Sequence, residues 1–313
     1  MAKTDTQQVA PELQKLVRRA SPPLPLNSAL GRRVLRFLGK LVVPNEKKLG
    51  QVKVEVKDTL QPSLRIYYPK VRSSDAALLW IHGGGFVLGN AALDGRLCAL
   101  TAHELGIIVV SVEYRLVPEH PFPAPLDDCY AAWRWLQQTG PSLGINPKRI
   151  AVGGESAGGA LAASLAQRVK DTEQNQVAAQ WLFCPMLDDH TATRNDLDLI
   201  KHWVWTSRTN ATAWRLFLAE QPGSIHLPEY SVPARRENLR GLPPTWIGVG
   251  DIDLLHDEGS VYADRLRASG VDVTFVSVPG APHGFESWAF DTQIAQIFIG
   301  KAHDWLRRFL QRP

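Results

Sequence analysis

Apolar positions along this chain fall into two rhythms. Eight short runs read as strands: QVKVEVK (51–57), SLRIYYP (63–69), ALLWIH (77–82), IIVVSVE (107–113), RIAVGG (149–154), AAQWLFC (178–184), TWIGVG (245–250) and DVTFVSV (272–278). The first two alternate apolar with polar residues, as an antiparallel edge does. Most of the later ones are nearly continuous Val, Ile, Leu and Trp, the pattern of strands covered on both faces in a parallel sheet. Between the later runs, apolar residues return every three or four positions at 93–105, 126–138, 156–169, 257–269 and 292–310, which predicts helices. Alternating strands and helices imply an α/β protein with a mixed, mostly parallel eight-stranded sheet and helices on both sides.

Two stretches break the alternation. In the first, Leu30, Val34, Leu38 and Leu41 mark one face of a helix that begins near the cap residues Asn27 and Ser28. The second, about 188–240, is far longer than an ordinary connection and carries Trp203, Trp205, Trp214 and Phe217. Together they suggest a helical cap with an aromatic wall. The expected organisation is an N-terminal cap segment (1–45), a catalytic domain (46–187 and 241–313) and a cap insertion (188–240).

Length and composition narrow the class. The 313 residues, 44% of them hydrophobic, suffice for one large core. The N-terminus MAKTDTQQVA lacks the apolar core of a signal peptide, and no run approaches 18 apolar residues, so a cytoplasmic protein without stable membrane insertion is expected. Cys98, Cys129 and Cys184 form no C-x-x-C pair and read as reduced core residues. The net charge of +4 is small, but residues 1–50 hold ten Lys/Arg against three Asp/Glu, leaving the remainder slightly acidic. A basic amphipathic arm of this kind can touch a membrane surface. Its spacing fits a solvated charged helix face better. No block of like charge or nucleic-acid motif is present, so nucleic acid is not an expected partner.

The chemistry concentrates in three places. GGESAGG (153–159) joins a strand to a helix and contains Gly-x-Ser-x-Gly as Gly154, Glu155, Ser156, Ala157 and Gly158. Alone, that pentapeptide means little; between a strand and a helix it reads as a nucleophile elbow, with the serine on a strained turn. A serine hydroxyl needs a base, and the base an orienting acid. Of nine histidines, His283 sits in a short Gly/Pro loop, PGAPHGF, just after the last strand. After the seventh strand, GDIDLLHDEG offers Asp251 and Asp253, while Asp257 and Glu258 suit the first turn of the next helix, where the dipole favours negative charge. Spacing alone does not choose between Asp251 and Asp253. Finally, His82-Gly83-Gly84-Gly85-Phe86 follows a buried strand. Bare main chain there suits an oxyanion site, where each backbone donor is worth on the order of 2.7–4 kcal/mol. The amide after the nucleophile, Ala157, is the second source of donors. A phosphate loop would require a following Lys-Ser/Thr, and His103-Glu104 lacks a zinc helix's second histidine, so neither reading is favoured.

Taken in order, HGGGF, EYRLVPEHPFPAPLDD (113–128), GESAGG (154–159), DLLHDEG (253–259) and PHGF (282–285) resemble the bacterial hormone-sensitive-lipase-like esterases (family IV) of the α/β-hydrolase superfamily, from about residue 50 to the end. The resemblance implies an α/β-hydrolase fold and a serine carboxylesterase acting on short- to medium-chain acyl esters, often dimeric, with no metal or other cofactor. It implies Ser156 as nucleophile, His283 as base and Asp253 as acid, the last because the family's acidic run aligns with Asp253 to Glu258. It further implies oxyanion donors at Gly84, Gly85 and Ala157, with His82, Gly83 and Glu155 in support. Leu254 and Glu155 depart from the family's commoner proline and aspartate. Some relatives bind hormones without turnover, but with a broken triad, whereas all three members stand here. Amide or lactone hydrolysis would use the same groups.

Overall fold

The computed structural model describes residues 6–21, 25–41 and 52–311. Gln51, expected to start the first strand, and the boundary at residues 45 and 46 lie outside them. All eight expected strands form: β1 (Val52–Lys57), β2 (Ser63–Pro69), β3 (Ala77–Ile81), β4 (Ile108–Glu113), β5 (Ile150–Glu155), β6 (Gln180–Phe183), β7 (Thr245–Gly250) and β8 (Val273–Val278). They make one sheet in the order β1-β2-β4-β3-β5-β6-β7-β8. β1 and β2 run antiparallel, as their alternation predicted, and β2 also joins β4 antiparallel; every later pairing is parallel.

Side chains alternate across each strand, so each strand feeds two cores. Leu79 and Ile81 join one, with α4 (Ala124–Thr139), α5 (Ala157–Thr172) and α7 (His256–Ala268). Leu78 and Trp80 join the other, with α3 (Gly95–Leu105), the short α8 (Phe285–Trp288) and α9 (Gln293–Leu310). Trp80, Gly153, Trp181 and Trp246 lie in register across β3, β5, β6 and β7, and the tryptophan rings meet at 5.7 and 6.4 Å. All three cysteines are buried, as expected of core residues. No helix among the described residues is long and apolar enough to cross a membrane.

The register positions the loops that matter. Ile81 of β3 lies beside Gly154 of β5, so the loop after β3 and the turn after β5 leave the sheet together. Gly250 of β7 lies beside Val278 of β8, which brings the loops carrying Asp253 and His283 side by side.

The two irregular stretches touch each other. Residues 188–240 fold as short 3-10 turns and α6 (Ser207–Leu218). Val204 N–H donates to Ser21 Oγ at 3.0 Å, and Arg215 donates to Asn27 Oδ1 at 3.1 Å. The N-terminal stretch divides, however. Leu13 and Val17, the latter in α1 (Gln14–Ala20), pack into the core shared with α9. In α2 (Ala29–Leu41) the expected solvated charged face is met only in part: Arg33 is exposed, and Leu35 packs against the core. Leu30, Val34 and Leu38 are exposed, while Arg32 and Arg36 turn inward to backbone carbonyls. The helical period is as predicted; which face turns inward is set by those carbonyls.

Candidate active site

Ser156 stands between β5 and α5 with φ of 56° and ψ of −118°, a conformation non-glycine residues rarely adopt. Its strain is held by three backbone bonds: Ser156 N–H donates to Phe183 O (2.8 Å), and Ser156 O accepts from Met186 N–H (3.0 Å) and Ala160 N–H (3.1 Å). The turn is tight enough that a Cβ at Gly158 would lie 2.0 Å from the Ile81 carbonyl oxygen. Only glycine lets α5 begin that close to β3.

Ser156 Oγ lies 2.9 Å from His283 Nε2, and His283 Nδ1 lies 2.8 Å from Asp253 Oδ2. These three side chains, 127 and 30 residues apart along the chain, are all buried. Asp253 Oδ1 accepts from Leu255 N–H at 2.9 Å, which fixes the carboxylate. Asp251, left level with Asp253 by spacing, is exposed and instead accepts from Gly280 N–H at 2.6 Å. Asp257 and Glu258 occupy the first turn of α7, as expected. Glu258 also accepts from Leu187 N–H (2.6 Å), tying α7 to the chain just after β6.

The glycine loop lies over the elbow. A Cβ on Gly83 would come 3.2 Å from Glu155 O and 3.6 Å from Ser156 Cβ. Gly84 O accepts from Val87 and Leu88 N–H, closing a turn. Gly85 (φ 62°) faces Trp205, whose ring would meet a Cβ there at 2.4 Å. Among the described residues, the amides of Gly84, Gly85 and Ala157 have no acceptor. His82 is wholly buried and stacks on Tyr114 at 4.2 Å. Burial pushes its pKa down to about 4, so the neutral ring donates from Nδ1 to the Gly83 carbonyl at 2.7 Å.

Trp205 and Phe217, two of the cap aromatics named from the sequence, meet residues that local spacing could not pair with them, and a group of buried carboxyls escaped sequence reasoning. Trp205 tilts against the His283 ring with centroids 5.8 Å apart, and Phe86 stacks on Phe217 of α6 at 3.9 Å. Beneath the elbow lie three buried carboxyls, Asp94, Glu155 and Glu286. Burial raises all three: Asp94 to about 6, Glu286 to about 7 and Glu155 well above its usual range, the last also through the charges of Asp94 and Glu286. Asp94 accepts from Trp80 Nε1 at 2.8 Å and Glu155 from the Ser287 hydroxyl, beside the histidine loop. Of the three, only Glu155 sits in a recognisable motif; the others carry no local signal.

Carboxyls raised in this way keep protons in the folded chain that the unfolded chain has already released. Their contribution to stability is therefore lost as pH climbs from about 4.5 through about 7, the unfolded and folded values for Glu286. Glu286→Gln cannot ionise, so its melting temperature is expected to gain on that of the parent protein between pH 5 and pH 8. Parallel melting-temperature curves for the two proteins over that range would dismiss this role.

Among the described residues, metal-binding atoms approach within 4.8 Å in three groups: Cys184/Asp253/His283, Glu155/Cys184/Glu286 and Asp188/Asp189/His190. Their donors are largely engaged. Both His283 nitrogens face Ser156 and Asp253, Glu155 holds Ser287, and Asp189 holds Arg235 and Gly223 N–H.

A model of the alpha/beta hydrolase fold matches residues 78–287, which span every motif above. A carboxylesterase, NlhH of Mycobacterium tuberculosis, is 36% identical over 260 residues, covering 79% of this chain and 78% of the relative. The chain belongs to the hormone-sensitive-lipase-like esterases of the α/β-hydrolase superfamily. This esterase is also 37% identical to esterase LipI of the same organism over 231 residues, covering 72% of this chain and 71% of LipI. Among solved structures it is similar to a bacterial heroin esterase, with a TM-score of 0.89, 32% identity and coverage of 98% of this chain and 99% of that one. It is a carboxylic ester hydrolase.

Proposed function

We propose that this esterase hydrolyses short- to medium-chain acyl esters through an acyl-enzyme on Ser156, with His283 as general base and Asp253 as the acid that orients it. The observation that carries the reading is the unbroken relay of 2.9 and 2.8 Å from Ser156 Oγ through His283 to Asp253. Asp253 holds the imidazole with its proton on Nδ1, leaving Nε2 free to accept the serine proton. As Oγ attacks the ester carbonyl, negative charge grows on the carbonyl oxygen, and the amides of Gly84, Gly85 and Ala157 receive it. Their lack of other acceptors supports that role, because donors already aimed at the site need no reorganisation during reaction. Collapse breaks the ester C–O bond, and His283 passes its proton to the departing alcohol oxygen. Water then attacks the acyl carbon as His283 takes its proton; collapse breaks the acyl–Oγ bond, and His283 returns the proton to Oγ, releasing the acid and restoring Ser156.

His82 and Gly83 support the glycine loop from below, and Glu155 supports the histidine loop through Ser287. A cap built from the N-terminal segment and residues 188–240 encloses the site, and its Trp205 narrows the space beside His283 and Gly85. That narrowing favours modest acyl groups. A related protein of Pseudomonas putida, 32% identical over 228 residues, is an ethyl acetate hydrolase, which points the same way.

Two readouts test the proposal together. Diethyl p-nitrophenyl phosphate should inactivate the enzyme with one diethylphosphoryl group per chain, found by peptide mass spectrometry on Ser156. Rates across p-nitrophenyl esters from two to sixteen carbons should peak below about ten carbons, the span one narrowed pocket can bury. Label on any other residue would overturn the nucleophile assignment, and a peak at the longest esters would overturn the substrate class.

A further inference from the structure

An amphipathic surface helix ordinarily buries its apolar stripe and shows its charges to water. In α2, Leu35 packs against the core and Arg33 meets water, but the rest of the apolar stripe and two arginines are reversed. Arg36 donates to the carbonyl oxygens of Val87 (2.8 Å) and Val117 (2.6 Å) and pairs with Glu119 at 3.0 Å. Arg32 donates to Leu26 O at 2.6 Å. With both arginines anchored, Leu30, Val34, Phe37 and Leu38 remain 72%, 48%, 63% and 49% exposed. Their spacing of four, three and one residues puts them on one side of the helix. Four large apolar side chains on one outward face are a contiguous patch and not scattered surface residues.

The surroundings indicate what covers it. Leu26, Asn27 and Ser28, just before α2, line a cavity of about 1360 Å³ together with Trp203 and Ile200. Ile200, which lines the cavity, is 54% exposed and its neighbour Leu199 90% exposed, so exposed apolar side chains stand beside the cavity as well as on α2. The same cavity carries Arg18 and Arg208, with Lys201 over the Trp203 ring at 3.7 Å, Arg194 paired with Asp196 and Asp198 accepting from Ser207. Arg33 is exposed beside Val34, and the first fifty residues are the basic part of an otherwise slightly acidic chain. An apolar strip flanked by cations is complementary to an anionic lipid surface. A second copy of the chain is a poorer match: a 13-residue helix offers a strip about 20 Å long and about 10 Å wide, a fraction of the about 800 Å² each partner of a stable interface covers.

We propose that α2 docks this esterase peripherally on anionic lipid, with Leu30, Val34, Phe37 and Leu38 in the headgroup boundary, the nearby cations on lipid phosphates, and the cavity rim turned toward the membrane. The docking does not depend on the catalytic assignment, because it is read without turnover.

The test is flotation of the full chain with vesicles of phosphatidylcholine containing one quarter phosphatidylglycerol, beside vesicles of phosphatidylcholine alone. The wild-type protein should float with the anionic vesicles and less with the neutral ones, and high salt should weaken the binding. Leu30→Asp/Phe37→Asp should lower the bound fraction at least about tenfold, and Arg33→Glu should lower it less. Far-UV circular dichroism and the thermal melt in vesicle-free buffer should match those of the parent, which shows that the variants are folded. Failure of the wild type to float, or undiminished flotation of the double variant, would overturn the proposal. So would a dimer in sedimentation velocity that the double variant dissolves, since the face would then be a self-interface.

Discussion

Ser156→Ala is expected to lower kcat toward p-nitrophenyl butyrate by about 10⁴- to 10⁶-fold, the range seen when a triad nucleophile is removed. The physical reason is that no neighbouring group replaces the lost oxygen. The nearest thiol, Cys184, is wholly buried, and its pKa is raised well above the usual range by burial and by Glu286, Glu155 and Asp253, so it offers neither access nor thiolate. His283→Ala should cost about as much, and the double variant little more than either alone, because the two groups act as one unit. Ser156→Ala should retain the parent melting temperature within a few degrees, because alanine keeps the backbone of the elbow, whereas His283→Ala should melt lower, because the buried Asp253 loses its partner. Single-turnover and steady-state rates measured beside thermal melts separate the chemical loss from misfolding. A Ser156→Ala protein that kept a tenth of its activity would remove the mechanism.

The second large effect is at Asp253. An asparagine there presents an NH₂ donor or a weaker acceptor to His283 Nδ1, now 2.8 Å from a carboxylate oxygen. The ring then favours the tautomer with its proton on Nε2, which faces Ser156 and can no longer accept. A loss of about 10⁴-fold in kcat with little change in KM is expected. Asp251→Asn should stay within about twofold, because an amide oxygen can still accept from Gly280 N–H in an exposed position. The pair is informative because the two aspartates are two residues apart and equal in charge. A greater loss at Asp251 than at Asp253 would reverse the assignment of the acid.

Much of this protein is legible in one dimension because burial on both faces leaves a local trace. The continuous apolar runs of β3 to β7, the alternation of β1 and β2 and the three-four spacing of α3, α5 and α9 each report which sides of an element meet other atoms. The elbow is legible too, since a strand, Gly154-Glu155-Ser156-Ala157-Gly158 and a helix are consecutive. The resemblance to a known family pointed to Asp253; residue spacing by itself had left Asp251 level with it.

What tertiary structure alone decided is every relation between residues distant in the chain or between equal faces of one element. Ser156 and His283 come within 2.9 Å across 127 residues because β5 and β8 end at the same side of one sheet. Asp94, Glu155 and Glu286 share one buried site, and their raised pKa values come from that shared lack of water, which no single segment encodes. For α2, the sequence defined two faces, one apolar and one basic, but periodicity is silent about which of them turns inward. The carbonyls of Val87 and Val117 and the carboxylate of Glu119 made that choice by binding Arg36, and so left the apolar face in water.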